Sequence, residues 1–267
     1  MRLPAGARRV RDAFAVARRE GRSALVVYLV AGDPDEAASL AAAEAALDAG
    51  ADLLEIGVPF SDPVADGPVI AAAAHAAVSR GAGLETAVRL ARDLRGMEYR
   101  QPLLAMGYLN PLIANDDAIG MLAEGGIDAL IVPDLPVGED LQLERDVAAA
   151  GLGACFMVAP NTSPARLERS IRASTAFLYV VPLFGVTGAR DQVTATTRPL
   201  LDRIRRAANG RVPVAVGFGV SQPEHIRHLR SAADGVIVGS AVVSALTEGG
   251  SERVASLVAD LAAATGG

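Results

Sequence analysis

The stretch Leu54-Glu55-Ile56-Gly57-Val58-Pro59-Phe60-Ser61-Asp62-Pro63-Val64-Ala65-Asp66-Gly67-Pro68 runs from an apolar segment into a loop bounded by proline and glycine. One carboxylate sits on the apolar run and two more sit in the loop. The run from Asp52 to Val58 has the length and composition of a strand buried on both faces, and its prolines and Gly67 mark where it ends. An Ala-rich segment of helical period follows.

The same unit recurs along the chain. Apolar runs at Leu25 to Val30, Asp52 to Val58, Pro102 to Met106, Ala129 to Val132, Ala154 to Val158, Ala176 to Val181, Val212 to Val216 and Gly235 to Val238 alternate with segments of helical period. Eight such units in 267 residues is the count of a (β/α)8 TIM barrel, here expected as one α/β domain over residues 1–267. A doubly wound sheet would carry a Gly-rich turn after its first strand, whereas this chain has Ala31-Gly32-Asp33-Pro34. Asp33 followed by Pro34 and Glu36 predicts a helix start, with Asp33 as N-cap and Pro34 at the first helical position. Met1 to Arg22 reads as an extra N-terminal amphipathic helix with Val10, Phe14 and Ala17 on one face. Long loops are expected after strands two and six. Between Pro59 and Pro102 there is room for a loop and two helices, one around His75 to Ser79 ending at Arg80-Gly81 and one from Leu84 to Leu94.

Composition removes several chemistries. All 25 basic residues are arginine, so this chain offers no lysine for a Schiff base or for a covalent pyridoxal phosphate cofactor. His75, His225 and His228 lack neighbours for a transition-metal site, and no metal or other cofactor is expected. Cys155 lies in an apolar run and reads as core. A net charge of −6 without a basic stripe argues against nucleic acid. Asp12 and Glu20 interrupt the arginine-rich start, and no apolar run reaches the ~18 residues of a membrane span, so a soluble, cytoplasmic protein is expected.

Glycines cluster where a barrel binds phosphate. Gly217-Phe218-Gly219 follows strand seven, Gly239-Ser240 opens the helix after strand eight, and Gly185-Val186-Thr187-Gly188 follows strand six. Backbone N–H groups at such turns and helix starts face an anion closely. Tight turns also use glycine, but three such segments at these strand ends point to a small phosphate ester.

Glu55 interrupts an apolar strand, and alternation points it into the barrel near the mouth, where burial raises its pKa and suits it to carry a proton. The other reading is a structural Glu paired to an arginine or a backbone amide. Asp62 and Asp66 can each serve chemistry or simply shape the turn. Asp134, in Val132-Pro133-Asp134-Leu135-Pro136, either supports the site from behind or caps a turn.

These segments, with Tyr108-Leu109-Asn110-Pro111, resemble the tryptophan synthase alpha chain family in order over nearly the whole chain, and the Pro59 to Pro68 loop is highly specific to it. The resemblance implies retro-aldol cleavage of indole-3-glycerol phosphate to indole and glyceraldehyde 3-phosphate. It implies Glu55 as the acid/base at indole C3 and Asp66 as acceptor of the indole N–H. Tyr28, Met106, Tyr108, Tyr179 and Phe218 are implied to line the indole pocket, with Gly188, Gly219, Gly239 and Ser240 under the phosphate. Thr187 is implied to meet Asp66 when the strand-six loop closes, and Asp62 to shape its loop. The implied partner is a tryptophan synthase beta chain in an alpha2beta2 assembly.

The chain departs from the family at Val27, where proline is common, and at Val181-Pro182-Leu183-Phe184, where the family carries a serine. The second departure raises the alternative of a stand-alone lyase releasing free indole. A regulatory barrel without turnover is the third reading, and the retention of both Glu55 and Asp66 speaks against it.

Overall fold

The computed structural model describes residues 3–182, 192–217 and 219–266, and of 192–196 the backbone alone. Parallel strands close into a barrel in chain order: β1 (Ala24–Val30), β2 (Leu53–Gly57), β3 (Leu103–Met106), β4 (Ala129–Ile131), β5 (Gly153–Val158), β6 (Leu178–Val180), β7 (Val214–Val216) and β8 (Gly235–Val238), with β8 returning to β1. Helix α1 (Ala5–Arg19) precedes the barrel, and α2 (Glu36–Asp48) follows β1. After β2 come α3 (Pro68–Ser79) and α4 (Leu84–Gly96), and after β3 come α5 (Leu109–Ile113) and α6 (Ala118–Glu124). The remaining units place α7 (Leu141–Ala149) after β4, α8 (Pro164–Ala173) after β5, α9 (Gln192–Ala208) after β6, α10 (Pro223–Leu229) after β7 and α11 (Ser240–Thr265) after β8. Each apolar run picked out in the sequence overlaps one strand. Most of the connection after β6 lies outside the described residues.

Strand alternation sorts side chains into two layers. Leu25, Val27 and Leu29 of β1, Leu54 and Ile56 of β2, and Leu103 and Ala105 of β3 face the helices. Val26, Tyr28, Leu53, Leu104, Met106, Ile131, Cys155 and Tyr179 fill the barrel interior. Val10, Phe14 and Ala17 of α1 join that interior cluster, and the Phe14 ring lies 5.5 Å from that of Phe177, so α1 closes the floor of the barrel.

A repeated device fixes the N-terminal rim. The residue just before or near each even strand accepts the first backbone N–H groups of the strand before it: Asp52 from Leu25 at 2.8 Å, Asp128 from Leu103 at 2.9 Å, Thr175 Oγ1 from Ala154 at 2.8 Å and Asp234 from Val214 at 2.9 Å. Arginines neutralise the three aspartates, Arg22 on Asp52, Arg95 and Arg9 on Asp128, Arg18 on Asp234. Asp128 is the most enclosed of these, held 2.7 Å from Arg95 Nη2. Asp128→Ala orphans the Leu103 N–H and strips the counter-charge from the half-buried Arg95 guanidinium, which is left with its bonds to the Gly126, Tyr99 and Gln101 carbonyls, so a loss of about 3 kcal/mol is expected. Urea unfolding reads it as a lower midpoint at unchanged slope. A shift worth less than about 1 kcal/mol would mean that water replaces the carboxylate without cost.

Two helix starts differ from expectation. The cap of α2 is Asp35, whose carboxylate accepts the Ala38 N–H at 2.8 Å, while the Asp33 carboxylate is engaged by Arg80 at 2.9 Å and the Asp33–Pro34 peptide is cis. The helix around His75 begins at Pro68, because a proline at the first position needs no N–H partner. That earlier start carries Ile70 to the barrel mouth. Among the described residues no helix is long and apolar enough to cross a membrane.

Candidate active site

A cavity of about 180 Å³ opens at the C-terminal ends of the strands, where barrels of this kind carry their chemistry. Glu55, Asp66, Tyr28, Met106 and Tyr179 line one part of it, and Gly219, Gly239 and Ser240 line another, with Gly67, Ile70, Val220 and Ile237 between. A larger, open hollow of about 580 Å³ lies at the opposite end. There Arg18 and Arg205 are already turned to Asp234.

Glu55 stands between Tyr28 of β1 and Leu104 of β3 in the ladder, in the inward parity shared with Leu53. It is fully buried, and neither carboxylate oxygen has a hydrogen-bond partner among the described residues. No arginine or amide meets it, so the structural pairing that its sequence position allowed is absent from the described residues. Burial first, then the charge of Asp66, raises its pKa from 4.5 to about 8. A carboxyl group near that value is protonated at neutral pH and can still give its proton up.

Asp66 lies on the loop between β2 and α3. Its Oδ2 accepts the Tyr108 hydroxyl proton at 2.9 Å, and the same hydroxyl accepts the Ala65 N–H at 2.9 Å. Burial raises the Asp66 pKa, and the Tyr108 hydrogen bond works against that rise. Tyr108, expected on the pocket wall, stands behind Asp66 with its ring 5.4 Å from that of Phe60. Asp62 is exposed, accepts from Ser61 Oγ, and its carbonyl holds the Val64 N–H. Asp134 Oδ1 accepts the Leu109 N–H at 2.9 Å.

Two glycines make room for the aromatic walls. A methyl group at Gly57 would collide with the Tyr28 hydroxyl, and one at Gly217 would meet Tyr179 Oη at 2.5 Å. Both phenols are buried, and burial together with the nearby carboxylates holds them well above the ordinary range, so both stay neutral. Opposite, Gly239 and Ser240 form the start of α11, whose N–H groups and dipole favour an anion.

Thr187, Gly188 and Phe218 lie outside the described residues. Pro182 is buried at the end of β6, while Leu183 and Phe184 also fall outside. Cys155 is buried in the barrel interior, and burial pushes its thiol up. His225 and His228 share α10, where Nδ1 of His225 accepts the Ser221 N–H and Nδ1 of His228 lies 2.7 Å from the Glu224 carbonyl. Sequence reasoning missed Ile70 and Ile237. Period-two alternation along β8 was available for Ile237, but Ile70 needed the true start of α3.

The family model described as tryptophan synthase alpha chain matches residues 14–265. A tryptophan synthase alpha chain of Carboxydothermus hydrogenoformans is 42% identical over 237 residues, 88% of each chain. One from Methanosarcina mazei is 41% identical, covering 95% of this chain and 93% of the relative. Among solved structures, Mycobacterium tuberculosis tryptophan synthase superposes with a TM-score of 0.88 at 37% identity, covering 96% of this chain and 98% of that one. The alpha subunit from Legionella pneumophila gives 0.86 at 27% identity, covering 96% and 98%.

Proposed function

The chain belongs to the tryptophan synthase alpha chain family and is a lyase of tryptophan biosynthesis that cleaves indole-3-glycerol phosphate by a retro-aldol step, and from that premise we propose that Glu55 and Asp66 divide the chemistry between them. The observation that carries the proposal is the buried Glu55 carboxyl, without a hydrogen-bond partner among the described residues and raised to about 8, on the wall of a cavity it shares with Asp66. Glu55 gives its proton to indole C3, which places positive charge on the ring nitrogen. Asp66, ionised, accepts the indole N–H and stabilises that charge. The hydroxyl proton on the adjoining carbon returns to Glu55 as the carbon–carbon bond breaks. The electron pair goes back to the ring, releasing neutral indole, and the oxygen becomes the aldehyde of glyceraldehyde 3-phosphate.

The phosphate is held by Gly219, Gly239 and Ser240, with Gly188 of the loop after β6, and Thr187 of that loop meets Asp66 on closure. Tyr28, Met106, Tyr179 and Phe218 enclose the indole. The reaction needs no metal or redox group, since a positioned proton and an acceptor for the N–H suffice. The partner is a tryptophan synthase beta chain in an alpha2beta2 assembly, and the setting is the cytoplasm. That beta chain supplies the pyridoxal phosphate lysine that this chain lacks.

Indole release from indole-3-glycerol phosphate, measured with and without added beta chain, tests the assignment. Slow release alone and a rise of about tenfold or more with the partner are expected. Full activity alone would identify a stand-alone lyase, and none in either condition would overturn the assignment.

A further inference from the structure

We infer that Asp134, on the loop after β4, is a positioning residue for Asp66 that acts through Tyr108. The inference rests on the assignment of Asp66 to the indole nitrogen. Asp66 belongs to a loop whose residues Ser61 and Asp62 are exposed and whose Val64 is 82% exposed. Its carboxylate is oriented by the Tyr108 hydroxyl at 2.9 Å, which also grips the adjoining Ala65 N–H. One hydroxyl therefore fixes both the side chain and the main chain beside it.

The position of that hydroxyl depends on how the backbone of Tyr108 is held. Tyr108 is the first residue outside α5, a five-residue helix too short to anchor itself, and its own side chain caps nothing. The clamps on either side of it both come from β4 and its loop. The Gly107 N–H donates to the Ile131 carbonyl at 3.0 Å, extending the strand ladder, and the Leu109 N–H donates to Asp134 Oδ1 at 2.9 Å. Asp134 is itself set in a stiff turn, between Pro133 and Pro136, where the Leu135 N–H returns to the Val132 carbonyl at 3.2 Å. Although exposed, its carboxylate points back at the chain. The path from Asp134 to Asp66 is one backbone hydrogen bond, one buried tyrosine and one hydroxyl, over residues far apart in sequence.

A carboxylate displaced by a fraction of an ångström stabilises transition-state charge poorly while still admitting substrate. Asp134→Ala in the full chain is expected to lower kcat about tenfold with KM nearly unchanged. Tyr108→Phe should cost a similar factor, and the double variant no more than Tyr108→Phe alone, because the two act along one path. Asp134→Asn should restore most of the rate, since its amide oxygen still accepts from Leu109. Carbon-13 titration of the Asp66 carboxyl in the substrate-free chain should move upward in both Asp134→Ala and Tyr108→Phe, as the hydrogen bond that opposes its rise is loosened.

Losses that multiply in the double variant would overturn the inference. So would Asp134→Ala that lowers the melting temperature while kcat and the Asp66 titration stay put. If the parent chain releases no indole, the functional reading falls, and the Asp66 titration in the two variants still decides the link from Asp134.

Discussion

Glu55→Gln is expected to slow indole release by about 10³-fold, the usual scale of a lost proton carrier, to leave binding of indole-3-glycerol phosphate measurable, and to make the empty chain more stable above neutral pH. The two effects have one cause. Glu55 is fully buried with no hydrogen-bond partner among the described residues, and burial then the charge of Asp66 raise it from 4.5 to about 8. Between those values the folded chain holds a proton that the unfolded chain has released, so stability falls as pH rises through the window. Below about 4.5 both states are protonated and the cost is absent. Above about 8 it is complete, roughly 5 kcal/mol from the displacement alone. Gln carries no charge at any pH and packs like the protonated acid. The stability gap between Glu55→Gln and the parent should therefore be small near pH ~5 and grow to several kcal/mol near pH ~9, read by urea unfolding at both. A gap that does not grow with pH would mean that Glu55 is not kept neutral by the fold. Retention of the original rate would remove Glu55 from the reaction.

The barrel and the place of Glu55 were readable because both rest on periodicity. Leu53, Glu55 and Leu104 follow the inward parity that strand alternation predicts, and each strand overlaps an apolar run. Features set by a single local choice were less readable. Asp33 and Asp35 are both plausible caps two residues apart, and only the long-range demand of Arg80 for Asp33 decides between them. The same kind of boundary hid Ile70: Pro68 is a local start signal, but the Pro- and Gly-rich loop before it reads equally well as continuing to His75. The rim aspartates' bonds to strand N–H groups and the Tyr108–Asp66 hydrogen bond join residues 20 to 42 positions apart, at distances that only the closed barrel creates. The resemblance implied Tyr108 on the indole wall, whereas its ring stands behind Asp66, and its hydroxyl contact could not be read from the sequence around it.

Asp66→Asn separates the charge of this residue from its place in the loop. Asn keeps an oxygen that accepts from the Tyr108 hydroxyl, so the loop remains pinned while the negative charge goes. Loss of a group that stabilises charge only in the transition state is expected to lower kcat by about 10²-fold or more. The pH dependence carries the sharper expectation. On the division of roles proposed above, turnover needs Asp66 ionised and Glu55 protonated, so the expected rate profile is bell-shaped: an acid limb set by Asp66, itself raised by burial, and an alkaline limb set by Glu55 near 8. Burial is the larger cause of the Glu55 rise and Asp66 the smaller. Removing the Asp66 charge should therefore move the alkaline limb of the residual activity to lower pH while leaving it above the range of an ordinary carboxylate. The acid limb, with no Asp66 left to protonate, should flatten. Residual activity whose alkaline limb stays in place would show that the two carboxylates do not feel each other across the cavity. A limb that moves upward would contradict the assignment of Glu55 as the group that must hold its proton.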